Sequence, residues 1–413
     1  MSAAPREAIH RAAAERQTLV QLLRRELHEI PELAFQEVET TRLVAEFLAT
    51  RGITFTPSRS GTGGIAVVGG GDGAGVILRA DLDALPVDEP ADHPCRSRHP
   101  GRMHACGHDA HAAMLLATAD ALADPTLGFR GRAVCVFQPA EEGPGGCRRL
   151  LEEGLLEKHP VGSAVALHVW PQLATGQVGL EPGPRMAGMD RITLTFHGLG
   201  GHGAYPHACI DPVVMAAEAV LSLQTIVSRR LDPLEPGVVT LGSIHGGTAA
   251  NVISDSVELL GTTRFYNAET RRRLREEVER VGHGVASAHG GRFELRFDEG
   301  YPVTRNDPRA TETVAAALRE VLGDEAVVAG SRTMGAEDMG YLLERVPGCY
   351  VQLGSSAAPN TAPPLHSARF SLDEACLPVG VEAFLAAAFA LDPPAEEPCA
   401  RTTCVRPTGS RSR

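Results

Sequence analysis

Lysine is almost absent: among 39 basic residues, only Lys158 is not arginine. So uniform a preference does not follow from site chemistry and reads as codon usage. Basic charge is also in deficit, 39 residues against 51 acidic ones, for a formal charge of −12. Such a surface repels phosphate, so neither nucleic acid nor an anionic membrane is expected as a partner. No window approaches the roughly 18 consecutive apolar residues of a membrane span. The opening MSAAPREAIHRAAAERQTL lacks the apolar block, roughly seven to fifteen residues long, of a secretory leader, so none is expected. The nine cysteines (95, 106, 135, 147, 209, 349, 376, 399 and 404) are odd in number and lack paired spacing. In a long chain that pattern fits a reducing compartment, so a cytoplasmic location is expected, with most thiols acting as small buried hydrophobes.

What is present fills two or three domains across 413 residues. Apolar residues at helical spacing from Arg6 to about Arg51 predict two helices around His28-Glu29-Ile30-Pro31-Glu32. Short apolar runs at Gly64–Val68, Val76–Ala80, Ala133–Phe137, Ala164–Val169 and Cys349–Leu353 read as buried strands, with helices at His111–Ala123 and Gly146–Glu153 between them. Alternation of this kind predicts an α/β fold, an open mixed sheet covered on both faces. From Met189 the pattern changes. Strand Arg191–Phe196, helix Pro212–Arg229, strands Val238–Ile244 and Val252–Tyr266, helix Ala268–Ser287 and strand Phe293–Phe297 follow in the order βαββαβ, the ferredoxin-like arrangement. After Gly300 the α/β character returns, with helices near Ala310–Leu322 and Ala336–Leu343. The expected organisation is therefore a domain from residues 1–188 and 300–391, interrupted by an inserted one at 189–299. A tail at 392–413, rich in Pro, Thr, Ser and Arg, is expected to be disordered.

In open α/β sheets ligands bind beyond the carboxyl ends of the strands. There the sequence places Asp81-Leu82-Asp83, Gln138-Pro139-Ala140-Glu141-Glu142-Gly143 and His168. Cys106-Gly107-His108-Asp109-Ala110-His111 opens a helix between the first two, and Leu365-His366-Ser367 follows the Cys349–Leu353 strand. Singly each has a bland reading: a core histidine, a solvated Glu-Glu pair, an Asp-x-Asp turn. Together, thiol, imidazole and carboxylate at one sheet edge suit Zn²⁺ or a similar divalent ion. Cys106 and His108 would diverge on a continuous helix, whereas a loop through Gly107 lets both face one point.

At these residues the sequence is similar to the amidohydrolase branch of the dinuclear zinc aminoacylase/carboxypeptidase superfamily, with its hippurate hydrolases, N-acyl-amino-acid amidohydrolases and indole-acetyl-amino-acid hydrolases. The resemblance spans Leu19 to Leu391 and keeps HACGHDAH, QPAEEG, LHVWP, GGHGAYPH and PLHS in family order. It implies a zinc-exopeptidase-like catalytic domain with a ferredoxin-like lid that mediates dimers. It implies metal ligands Cys106, His108, Glu142, His168 and His366, with the Cys106 thiolate where relatives have a bridging carboxylate. Two divalent ions per subunit are expected, zinc first, with manganese, cobalt or nickel as alternatives. Glu141 takes the place of the general base, acting on a metal-bound hydroxide. Asp83 matches the aspartate that orients a ligand imidazole, and Asp81 stands where sister branches carry a metal histidine. In the lid, His202 matches the histidine that reaches across the dimer to the oxyanion. Asn251 and Arg264 match residues that hold the substrate carboxylate.

The activity so implied is hydrolysis of N-acyl amino acids, N-acetyl, N-benzoyl or similar, to a carboxylic acid and a free amino acid. Alternatives are a dipeptidase or carboxypeptidase with the same centre, a non-catalytic metal-binding protein of the same fold, and a closed structural zinc site. Among other histidines, His104 and His111 are expected near the ligands in supporting roles, His28 packs near the site, and His245 lies where it could touch substrate. Glu337 and Asp338 sit at a helix start, where capping alone would explain them.

Overall fold

A computed structural model describes residues 3–71, 73–93 and 95–392. The expected tail falls outside them except for Asp392, as do Cys399 and Cys404. Asp392 itself belongs to the fold. It is buried, and its carboxylate accepts the backbone N–H groups of Gly75 (3.1 Å) and Arg132 (2.6 Å).

The larger unit is built on eight strands in the order Phe55–Pro57, Gly64–Val68, Ala133–Gln138, Val76–Asp81, Ser163–Ala174, Gly348–Ser356, Val178–Gly179, Val327–Val328. Val76–Asp81 runs parallel to both Ala133–Gln138 and Ser163–Ala174, and Gly348–Ser356 runs parallel to Ser163–Ala174. These central strands are buried on both sides, which explains why they read as unbroken apolar runs rather than alternating ones. One face carries the helices Ala3–Glu15, Gln17–His28, His108–Ala123, Pro308–Leu322 and Cys376–Leu391; the other carries Gly146–Glu152 and Met339–Leu343. The mixed sheet and its two helical layers are as the sequence implied.

Two helical expectations change. The N-terminal region forms three helices, Ala3–Glu15, Gln17–His28 and Val38–Thr50, rather than two. The extra break falls at Arg16, which carries no glycine or proline signal; its guanidinium reaches Asp120 (2.6 Å) on the neighbouring helix and the Ala12 carbonyl (3.1 Å). Helix Cys376–Leu391 was not anticipated, because a helix apolar on every side has no periodicity to detect. None of the described helices is long and apolar enough to cross a membrane.

The smaller unit is a four-stranded antiparallel sheet in the order Gly237–Gly246, Ser256–Phe265, Gly188–His197, Arg292–Glu299, with helices Pro212–Thr225 and Ala268–His289. Leu194, Phe196, Met215, Leu223, Val278 and Phe293 contribute to a core of its own. Asp211 and Asn267 cap the two helices, accepting N–H bonds from Val213 (2.8 Å) and Thr270 (2.7 Å). The expected strand Val252–Tyr266 is broken in two. Val252–Ile253 pairs with Gly201–His202, and Asp255 turns the chain by accepting from Gly200 N (2.9 Å) and Gly198 N (2.8 Å) before Ser256–Phe265 begins. Where the chain passes into and out of this unit its two ends touch: Met189 N donates to Tyr301 O at 2.8 Å.

Candidate metal centre

Parallel strands deliver their carboxyl ends to one edge. Val76–Asp81 runs into Asp83, Ala133–Gln138 into Glu141 and Glu142, and His168 lies within Ser163–Ala174. Gly107 makes the remaining turn with a left-handed φ of 81°, ahead of the helix that starts at His108. A Cβ at Gly107 would stand 2.4 Å from Val169 Cγ2. Gly107→Ala should therefore cost about 1–2 kcal/mol for the backbone alone, more with the clash, and lower the melting temperature measurably. An unchanged melting curve would contradict this account of the turn.

Two sets of donors converge, each with its ligand atoms within 4.8 Å of one another: Cys106, His108 and His168, and Cys106, Glu142 and His366. Cys106 belongs to both. Its Sγ lies 3.4 Å from His168 Nε2, and His366 Nε2 lies 2.9 Å from Glu142 Oε1. The ring orientations leave the correct nitrogens free. His168 Nδ1 donates to the Val169 carbonyl (2.8 Å), so its Nε2 presents a lone pair. His108 Nδ1 faces Asp83 Oδ1 (3.2 Å), while its Nε2 is buried with no hydrogen-bond partner. The other oxygen of Asp83 accepts Glu142 N (2.9 Å), so one carboxylate orients both a histidine and a glutamate.

Electrostatically the cluster demands positive charge. Burial would lower the His108 imidazole, but Asp81 and Asp83 outweigh it and raise it to about 10. Burial, then Glu142 and Glu141, pushes the Cys106 thiol well above its ordinary value, so a thiolate there needs a cation beside it. Burial, then Glu337 and Glu142, likewise holds the Glu141 carboxyl well above the usual carboxylate range. An orphaned imidazole nitrogen, a thiol and carboxylates around one point fit borderline-soft divalent ions.

A cavity of about 340 Å³ opens over these donors, lined by Cys106, Glu141, Glu142, His168 and His366 and, from the smaller unit, by Arg264 and Arg191. The Arg264 guanidinium is half-buried and has no ion-pair or hydrogen-bond partner among the described residues. His202 and Asn251 lie elsewhere. They are exposed neighbours, joined by Gly203 N donating to Asn251 O (2.8 Å), and neither lines the cavity. His111 is fully engaged: Nδ1 donates to Asp81 (2.6 Å) and Nε2 accepts from Val169 N (2.9 Å), which leaves it no lone pair for a metal. Burial pushes His104 down to about 3, and both its nitrogens lack partners. His245 is exposed and bonds Ser243 (2.6 Å).

Capping does not explain Asp338. Its carboxylate accepts from Arg79 (2.8 Å), Gln138 Nε2 (2.9 Å) and Cys147 N (2.9 Å). Glu337 does take the Met339 N–H (2.9 Å), but it also accepts from Arg79 (3.0 Å). Arg79, wholly buried, also bonds Asp81 (2.7 Å), so three carboxylates share one guanidinium beneath the cluster. The one signal for it in the sequence was a charge inside the apolar run Val-Ile-Leu-Arg-Ala-Asp. Glu37 is a second omission. It accepts the N–H of Ala140 (2.8 Å), whose φ of 56° bends the chain toward Glu141, and burial raises its carboxyl to about 7. Tyr301 is a third, its hydroxyl 2.7 Å from the carbonyls of both Glu141 and Gly143.

Comparison with known proteins matches residues 77–390 to the model of peptidase family M20/M25/M40. The chain is 39% identical over 365 residues to the IAA-amino acid hydrolase ILR1-like 4 of Arabidopsis thaliana, covering 87% of this chain and 82% of that one. It is 35% identical over 356 residues to the N-acetyl-L-cysteine deacetylase of Bacillus subtilis, covering 86% and 84%. Among solved structures, the YXEP protein of Bacillus subtilis, described as a dinuclear metal-binding peptidase of the M20 family, superposes with a TM-score of 0.79 at 33% identity, covering 91% of this chain and 98% of that one.

Proposed function

The chain belongs to peptidase family M20/M25/M40, and from that premise we propose that it hydrolyses the amide bond of N-acyl amino acids at a metal centre held by Cys106, His108, Glu142, His168 and His366. It is a metal-dependent amidohydrolase. The observation that carries the reading is the pair of donor triads sharing Cys106, open to a cavity that Glu141 also lines. Divalent ions held there supply Lewis acidity, which polarises the scissile carbonyl and acidifies water. Zinc suits the thiolate best, with manganese, cobalt or nickel as alternatives.

The residues of the chain divide the remaining work. Glu141 takes the proton of the attacking water and delivers it to the amine nitrogen that leaves. Asp83 fixes His108 through Nδ1, and the Val169 carbonyl fixes His168 in the same way. Arg264 offers a fork of N–H donors to the substrate carboxylate, and burial without a counter-charge lowers its guanidinium, so an incoming carboxylate relieves a cost already present.

The segment 189–299 acts as an inserted lid and pairing unit, and residues 1–188 with 300–391 form the catalytic domain. His202 and Asn251 are exposed away from the cavity of their own chain, which supports a homodimer in which each lid carries them to the partner's site, His202 to the oxyanion and Asn251 to the carboxylate. Exposed Val213, Val214 and Leu221 on the lid helix supply apolar surface for such pairing. The described cysteines are all unpaired, in keeping with the cytoplasm.

A hydrolysis screen tests the reading. N-acetyl and N-benzoyl amino acids should be cleaved with kcat/KM about tenfold or more above matched dipeptides. The reverse preference would move the assignment to an exopeptidase, and no cleavage of either by metal-loaded protein would remove it.

A further inference from the structure

Away from the Cys106 cluster, a second group of metal donors is buried where helix Gln17–His28 ends. His28 Nε2 lies 2.7 Å from Glu89 Oε1, and His93 Nδ1 lies 3.2 Å from the same oxygen. The two imidazoles stack with centroids 4.7 Å apart, and each of the three residues offers an atom within 4.8 Å of the other two. Support from outside the group is already in place. His28 Nδ1 pairs with Asp109 (2.7 Å), which Arg24 also holds (2.8 Å), and the Ser97 N–H binds the other Glu89 oxygen. A histidine with a carboxylate on its far nitrogen is the usual way a metal-binding imidazole is oriented.

A proton shared between His28 and its carboxylates accounts for part of this arrangement. It does not account for His93, whose ring lies against His28 and whose Nδ1 faces the Glu89 carboxylate; the weak 3.4 Å contact of that nitrogen with Cys95 N is the one an ion would displace. Tetrahedral zinc with bonds of about 2.0–2.1 Å separates its ligand atoms by about 3.3 Å. The His93–Glu89 separation already matches that spacing, and the His28–Glu89 contact needs to open by roughly half an ångström.

We propose that His28, Glu89 and His93 bind one further divalent transition-metal ion, zinc or a similar borderline-soft cation, separate from the centre at Cys106. Two histidines and a glutamate leave a fourth position, and His93 borders a cavity of about 360 Å³ with Arg24, Arg25, Cys95 and Glu374 through which water can reach the ion. Bound there, the ion ties the helix Gln17–His28 to the segment 85–103 and, through Asp109, to the start of the helix that carries His108. The proposal does not rest on the hydrolytic reading.

The test is metal content after zinc loading and removal of loose ions. His93→Leu should bind about one zinc equivalent fewer per chain than the wild type, with hydrolysis unchanged. The difference, not the total, is the readout, so it holds whatever the occupancy at Cys106. Glu89→Gln gives the same comparison should His93→Leu fail to fold. In a Cys106→Ala background the site should keep about one equivalent, and adding His93→Leu should remove it. Equal zinc content in wild type and both single variants overturns the proposal.

Discussion

Glu141→Gln should lower kcat by about 10²–10⁴-fold while leaving the bound metal in place. The two side chains match in shape, so the cavity keeps its volume; what is lost is a basic oxygen. Among the described residues no donor claims the Glu141 carboxylate, although Tyr301 stands 2.7 Å from its backbone carbonyl. Kinetics beside metal analysis on one preparation decide the matter, and near-wild-type turnover would remove Glu141 as the base. The same variant tests the shared site. Mixed with His202→Ala and allowed to exchange subunits at equal concentration, half of the dimers become hybrids, each with one site free of both lesions. Activity should then recover to about a quarter of the wild-type value in a twofold-symmetric dimer. No recovery after demonstrated exchange would place His202 in its own chain's site or in none.

Cys106→Ala should abolish turnover and strip the centre of metal, weakening affinity by more than about a hundredfold, since losing a supporting second-layer contact alone costs about 10–100-fold. The reason is its position: the sulfur stands with His108 and His168 in one donor triad and with Glu142 and His366 in another, so its loss opens both. Equilibrium dialysis against zinc measures the change. Retention of both ions at wild-type affinity would show that the thiol only packs against the centre. Cys106→Asp should keep more metal than Cys106→Ala, because a carboxylate also has atoms enough to face two cations.

How much of this was legible depended on the range of the interaction. The central strands declared themselves because burial on both faces leaves no polar residue to alternate, and the βαββαβ unit did so through a change of period near Met189. The donors of the centre could be grouped because Glu141, Glu142 and His168 fall at the ends of parallel strands, while the full ligand set, with Cys106, His108 and His366, came from the resemblance. Helix Cys376–Leu391 hid for the opposite reason, having no polar face. The break at Arg16 was set by Asp120, 104 residues away, and Arg79 meets Asp338 across 259. Composition cannot reveal such pairings; only the folded sheet brings those partners into register. Glu37 was invisible for a similar reason, since its bond to Ala140 joins a helix cap to a distant loop.

The contact between Met189 N and Tyr301 O bears on how the chain can be cut and rejoined. A module whose two ends meet across one hydrogen bond can be spliced out, or swapped for another, without stretching the chain that remains. A shortened protein joining residue 188 to residue 300 is expected to keep the larger sheet and its helices, with circular dichroism as the check.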